Sequence, residues 1–319
     1  MRTPSAVLFC SVLLLISMIP SVAEAQRKTI TIGSYNVRNF LDVFDDPYSN
    51  DESVRVKERR DIQTLAKAIQ RLDADVVVFQ ELENEHVLRA MVDEFLPNAG
   101  YRYITAQRTN SGRGINLGVA SRLPIVELRS YRMQTLTHPG APGRTWRFAR
   151  DVMRVTVDVD GDAGDETIDV FNVHLKSNRS GPDDPNSMLY RTAEAIRVKE
   201  IIAAEVADDP GFLAVVTGDF NSNYETRPEQ PRPWPAIAHL LETEPGDTPL
   251  LTDLHTRLSD KQRVTIPGDG RFPPATFDYI LATPAMAERF VPRSAVVLRD
   301  EMLTSGSDHR PISATFRLD

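Results

Sequence analysis

The chain is almost without cysteine. Cys10 is the single one in 319 residues. It lies in an apolar N-terminal stretch, so residues 26–319 carry no thiol at all. A disulfide scaffold is excluded, and stability has to come from a packed core or from bound metal. Long hydrophobic runs are missing too. The run Ala6–Ile19 is too short for a comfortable membrane span, and nothing comparable follows it. Positive charge is scarce: 37 Lys and Arg stand against 45 Asp and Glu, a net charge of −8. That excludes a global basic field able to hold a polyanion. Any such partner must meet a local cationic patch helped by a divalent cation. No low-complexity tract and no internal repeat is visible.

What is present starts with Arg2, the run Ala6–Ile19, Pro20 and then Ala23-Glu24-Ala25. A charged start, a short apolar segment and a small-x-small site are the parts of an export signal, here residues 1–25. Cys10 sits too early and in the wrong context for a lipid-anchored start. The chain is therefore expected to be exported, secreted or periplasmic, with no stable membrane association and as a monomer. Residues 26–319 are long enough for one large core.

Apolar periodicity supplies the elements. Lys28–Tyr35 alternates and reads as a strand ending at Asn36-Val37-Arg38-Asn39. Residues 41–52 form an acidic, aromatic loop whose spacing matches no known calcium loop and which reads as solvated. Helical spacing follows over Ser53–Leu72, then a continuous apolar run, Asp75–Gln80, ends at Glu81. A second helix covers Val87–Phe95, and strands are expected near Tyr101–Ala106, Ile115–Ser121 and Ile125–Tyr131. Val152–Val159 and Thr167–Val173 make a hairpin. A helix over Ser187–Ala207 leads to a buried strand, Phe212–Thr217. A Pro-rich excursion, 226–235, precedes a short helix at Ala236–Leu241. Thr276–Leu281, Ala295–Leu298 and a terminal strand close the chain. Two packed sheets with helices outside would use every element, which makes a single α/β domain.

Polar clusters stand at the strand ends: Asn36, Glu81, Asn172-Val173-His174-Leu175-Lys176, Gly218-Asp219-Phe220-Asn221 and Asp308-His309, with Asp278 inside a short strand. Each alone reads equally well as a turn, a cap or a satisfied buried group. Together they are oxygen ligands for a hard cation beside a proton-transfer group.

In order, Ser34-Tyr35-Asn36-Val37, Gln80-Glu81, Asn172–Leu175, Gly218–Asn221, Phe277-Asp278-Tyr279-Ile280 and Ser307-Asp308-His309 resemble the motif series of the DNase I-like endonuclease/exonuclease/phosphatase superfamily. The resemblance implies a four-layer α/β/β/α sandwich of two packed mixed sheets, with metal-dependent phosphoester hydrolysis at one sheet edge. Carried over, Glu81 would be the principal Mg2+ or Mn2+ ligand, with Asn36 and Asp308 in the same neighbourhood. Asp219 and Asn221 would align the attacking water and hold the scissile phosphate. His309, oriented by Asp278, would be the general base or a cationic stabiliser. His174 would bind a non-bridging oxygen or aid the leaving group, and Arg150 would hold the phosphate, with Arg144 and Arg147 as competitors.

Three readings of the substrate stay open. The first is a secreted nuclease, a DNA endonuclease of low specificity. The block Asn36–Asp42 with Asp46-Pro47-Tyr48 and Lys57 resembles the start of extracellular bacterial nucleases, and Arg108, Arg113, Arg144, Arg147 and Lys176 would form the cationic patch. The second is a phosphatase or phosphodiesterase acting on phospholipid headgroups or small phosphoesters, for which the sequence offers no exposed apolar hairpin. The third is a catalytically silent binding module. A substitution at Glu81, Asp219 or His309 would mark it, and all three are intact.

Overall fold

The computed structural model describes residues 28–52, 54–160, 166–179, 181–223, 236–243, 247–270 and 272–318. The expected export signal, the expected 161–165 turn and the Pro-rich 226–235 segment lie outside them. No helix among the described residues is long and apolar enough to cross a membrane.

In chain order the elements begin with β1 (Thr29–Phe40), α1 (Arg59–Leu72), β2 (Val76–Leu82), α2 (Glu85–Phe95), β3 (Tyr103–Gln107), β4 (Asn116–Ser121) and β5 (Ile125–Ser130). A small hairpin, β6 (Leu136–Thr137) and β7 (Thr145–Trp146), precedes β8 (Val152–Asp158), β9 (Thr167–His174) and α3 (Met188–Asp208). Then come β10 (Ala214–Asp219), α4 (Ala236–Leu241), β11 (Thr252–Asp253), α5 (Asp260–Arg263) and β12 (Asp278–Ala282). Last are α6 (Pro284–Glu288), β13 (Val296–Val297), α7 (Glu301–Thr304) and β14 (Ile312–Arg317). Helix α1 starts later than its periodicity suggests, at Arg59 after a Glu58 cap.

Two six-stranded mixed sheets result, ordered β13-β14-β1-β2-β4-β3 and β11-β12-β10-β9-β8-β5. Strand alternation decides how they stack. Val76 and Val78 of β2 face the second sheet, in a core shared with Val155, Val170, Val215 and Ile280. Val77 and Phe79 point the other way, onto Leu65, Ile69, Leu88 and Met91 of α1 and α2. In β10, Val216 packs outward with Phe171, Val198 and Ile202, beneath α3. Continuous apolar runs are thus strands buried on both faces, and the order of layers is α/β/β/α.

Polar groups also tie the sheets together. Gln80 of β2 donates to Ser34 Oγ (3.1 Å) and to Asn172 Oδ1 on β9 (2.7 Å). Asn172 Nδ2 returns bonds to Phe79 O (2.9 Å) and Gly118 O (3.2 Å). This buried amide pair fixes the register between the sheets, so the strand ends they carry meet at one edge.

Candidate active site

The second sheet places three chemistry-bearing residues in one row. Asp219 pairs with His174 across the parallel β9–β10 ladder and with Asp278 across the antiparallel β10–β12 ladder. Two carboxylates directly opposite each other repel. His309 relieves this: its Nδ1 lies 2.9 Å from Asp278 Oδ2, and its Nε2 lies 3.7 Å from Asp219 Oδ2. Burial alone would lower the pKa of His309. Asp278 and Asp219, with help from Asp308, outweigh it and raise the ring to about 10. His309 is therefore a buried imidazolium. Burial, Asp278 and Glu81 push Asp219 above the usual carboxylate range, against the pull of His309 and of the Asn221 N–H. His174 goes the other way. Burial and the positive charges of Arg150, His309 and Arg113 lower it well below an ordinary histidine, so its ring is neutral.

The first sheet supplies the facing residues. Asn36 Nδ2 donates to Asp219 Oδ2 at 3.0 Å, and Asn36 Oδ1 accepts the Arg38 N–H at 3.0 Å. Glu81 sits at a bulge in β2 with φ +65°, and the register shifts between Gln80 and Leu82. That bulge turns the carboxylate toward the edge. Glu81 Oε1 lies 3.8 Å from His174 Nε2 and 3.7 Å from Arg113 Nη2, while Oε2 accepts the Asn39 N–H at 3.1 Å. Asn221, also at positive φ, donates its backbone N–H to Asp219 Oδ1 (2.8 Å) and its amide to Leu175 O (3.1 Å).

The structure therefore joins Asn36, Glu81, His174, Asp219, Asn221, Asp278 and His309 through direct contacts. Two expected members stand apart. Asp308 pairs with Arg38 at 3.5 Å, half exposed at the rim. Arg150 is buried and donates to Leu175 O at 3.3 Å, and its charge acts on Glu81 and Asp219. Arg144 and Arg147 do not compete for that position. Arg144 lies 4.9 Å over the Trp146 ring, and Arg147 Nη1 reaches Met133 Sδ at 3.7 Å. The expected cationic patch is thus divided. Arg113 touches the edge, whereas Lys176 Nζ donates to Ser177 O (3.3 Å) and Arg179 O (2.6 Å) and Arg108 donates to Tyr48 O (3.3 Å).

The donor set fits a hard divalent cation. Glu81 and Asp308 offer carboxylate oxygens and Asn36 an amide oxygen, the hard donors such an ion takes. The geometric group of Asp219, Asp278 and His309 is close enough to share an ion. Its members are instead committed to each other by the His309 bonds.

Two supports escaped the sequence reading. Thr265 Oγ1 accepts the N–H groups of Phe277 (3.0 Å) and Asp278 (3.2 Å), which holds β12 in place. Glu194 of α3 is fully buried and accepts the Ala149 N–H (2.7 Å) and the Lys176 N–H (2.6 Å), between Arg150 and Arg191. It fixes the Leu175–Lys176 backbone on which Arg150 and Asn221 hang. The available signal was its helical spacing from Val198, Ile201 and Ile202, which puts Glu194 on the buried stripe of α3. Glu194→Gln keeps the shape but offers one acceptor oxygen, so one of the two buried N–H groups loses its partner. It is expected to cost about 1–3 kcal/mol in urea unfolding; a change below about 0.5 kcal/mol would rule the role out.

The Endonuclease/Exonuclease/phosphatase family profile matches residues 33–309. The chain belongs to that family. Its members are metal-dependent phosphoester hydrolases. No curated protein matches at the level of sequence. Solved structures share the fold at low identity. The human Nocturnin catalytic domain is 17% identical over 91% of this chain and 94% of that one, with a TM-score of 0.60. A family protein from Beutenbergia cavernae is 20% identical over 92% and 72%, with a TM-score of 0.58. D. rerio TDP2 is 16% identical over 91% and 99%, with a TM-score of 0.54.

Proposed function

We propose that the protein is an exported, metal-dependent phosphodiesterase that cleaves nucleic acid, DNA in the first place, with little sequence preference. The observation that carries this is the bridged pair: buried His309 between Asp278 and Asp219, with His174 and the Glu81 carboxylate alongside. Glu81, with Asn36 and Asp308, would hold Mg2+ or Mn2+, which when bound neutralises charge on the scissile phosphate.

The chain's own groups supply the rest. Asp219, raised by burial, accepts the proton that the attacking water loses. Asn221 and Asn36 donate to its two oxygens and fix the orientation of the carboxylate. His309 keeps its proton and stabilises the charge developing on the phosphate oxygens, the cationic one of its two expected roles. His174 offers an uncharged Nε2 to a non-bridging oxygen, and Arg113 and Arg150 add positive charge around it. Two neighbours support a phosphate backbone as the ligand class: D. rerio TDP2 complexed with a single-strand DNA product, and the Nocturnin domain with a bound sulfate anion.

One observation favours the second reading. Val43, Phe44 and Tyr48 of the acidic loop are 75–79% exposed, an apolar tip that the sequence did not suggest and that could meet a lipid surface. A substrate panel separates the two. Supercoiled plasmid, phosphatidylcholine vesicles and bis(p-nitrophenyl) phosphate are each offered with Mg2+ or Mn2+. The nuclease reading expects plasmid cleavage and intact vesicles. Headgroup release with untouched plasmid would replace it by the lipid reading.

A further inference from the structure

The loop between β1 and α1 is not used by the catalytic edge. Its Asp45, Asp51 and Glu52 each offer a carboxylate oxygen within 4.8 Å of the other two. Proximity alone is not a site, because exposed acidic groups crowd on many surfaces. Asp51 adds the second observation. It is only 6% exposed, and no donor reaches its Oδ1. Its other oxygen has only the Asp46 N–H, at 3.3 Å. A buried carboxylate oxygen facing other carboxylates is strongly unfavourable unless a cation, or a proton held between Asp45 and Asp51, is shared, and a shared proton leaves Glu52 unneutralised beside them. Protein cations do not fill that role: among the described residues none of the three forms an ion pair with Lys or Arg, and nearby Arg108 donates to Tyr48 O instead.

We propose that Asp45, Asp51 and Glu52 form a second divalent-cation site, separate from the catalytic edge, that takes Ca2+. The donors are hard oxygens in an irregular arrangement, two on exposed side chains and one on a buried one. Calcium accepts such a shell and completes it with water, whereas Mg2+ demands near-octahedral geometry. The loop spacing resembles no EF-hand, which is why the sequence reads as solvated there. Folding, not spacing, brings the three together.

The site has a consequence at the edge. The loop rests on the 111–114 turn: Asn50 N donates to Gly112 O at 2.7 Å. A Cβ on Gly114 would come within 2.9 Å of Ser49 Oγ. That turn carries Arg113, which contacts Glu81 and donates to Asn39 Oδ1 at 3.3 Å. A cation that orders the loop therefore holds Arg113 against the catalytic edge.

Calorimetric titration with Ca2+, in excess Mg2+ to saturate the edge, tests this. Wild type and Glu81→Gln should each bind one Ca2+ with the same affinity. Asp45→Asn/Glu52→Gln, which alters exposed side chains only, should bind it more than tenfold more weakly while keeping the wild-type circular dichroism. Ca2+ should also raise the melting temperature of Glu81→Gln but not of the double variant. No Ca2+ uptake by wild type, loss of uptake in Glu81→Gln, or unchanged uptake in the double variant would each overturn the proposal. Because the readout is binding, its failure is independent of whether the protein cleaves DNA.

Discussion

Replacing His309 by alanine is expected to lower kcat on a phosphodiester by roughly 10²–10⁴ while leaving the circular dichroism spectrum unchanged. The ring does two things. Its Nδ1 is bound to Asp278 and its Nε2 faces Asp219, so it supplies positive charge where the phosphate oxygens gain negative charge. It also separates two carboxylates that sit opposite each other in the β10–β12 ladder. Without it, Asp219 and Asp278 face each other unscreened, and one of them must hold a proton near neutral pH. Activity should therefore fall through kcat, with KM changing little, since the ring acts mainly in the transition state. Equal activity in His309→Ala would remove the bridged pair from the chemistry.

The second large effect is on folding. Gly218 precedes Asp219 with φ +138°, a conformation that side chains rarely adopt. A Cβ there would lie 2.1 Å from Val173 O, a backbone atom held in the β9–β10 ladder. Neither partner can move without breaking the row that carries His174 and Asp219. Gly218→Ala should cost about 4 kcal/mol or more, from clash and backbone strain together. Gly143→Ala is the matched control. It also has positive φ, at +80°, but open space around the site of the Cβ, so only the strain remains, about 1 kcal/mol. Urea unfolding of the two variants measures the difference; a Gly218→Ala midpoint within error of the control would show that the two strands can part at this point.

These residues also show how far a sequence can be read. The buried strands were legible because Val76–Phe79 and Ala214–Val216 are apolar at every position, which only a sheet covered on both faces allows. Most of the edge was legible because its groups stand where those runs stop: Glu81, His174, Asp219. The His309–Asp278 contact was expected from the family resemblance and is present. The rest of the arrangement was not legible: nothing in the spacing of Asp219, Asp278 and His309 says that a ladder register places the two carboxylates opposite each other. Glu194 was hidden because a charge on an amphipathic helix normally faces water. Here the strand-end N–H groups of Ala149 and Lys176 require an acceptor, and only the fold brings them to it. Asp45, Asp51 and Glu52 were hidden for a related reason: a loop brings distant positions together by its backbone path, which has no period to read.

The most direct test of the account is nicking of supercoiled plasmid by the purified protein with Mg2+ or Mn2+, beside an EDTA control and Glu81→Gln. Nicked circles are expected with metal, none with EDTA, and a loss of at least about 100-fold in the variant. Cleavage that persists in EDTA, or that Glu81→Gln leaves unchanged, would contradict a metal-dependent reaction at this edge. Intact plasmid with folded, metal-supplied wild type would contradict DNA as the substrate.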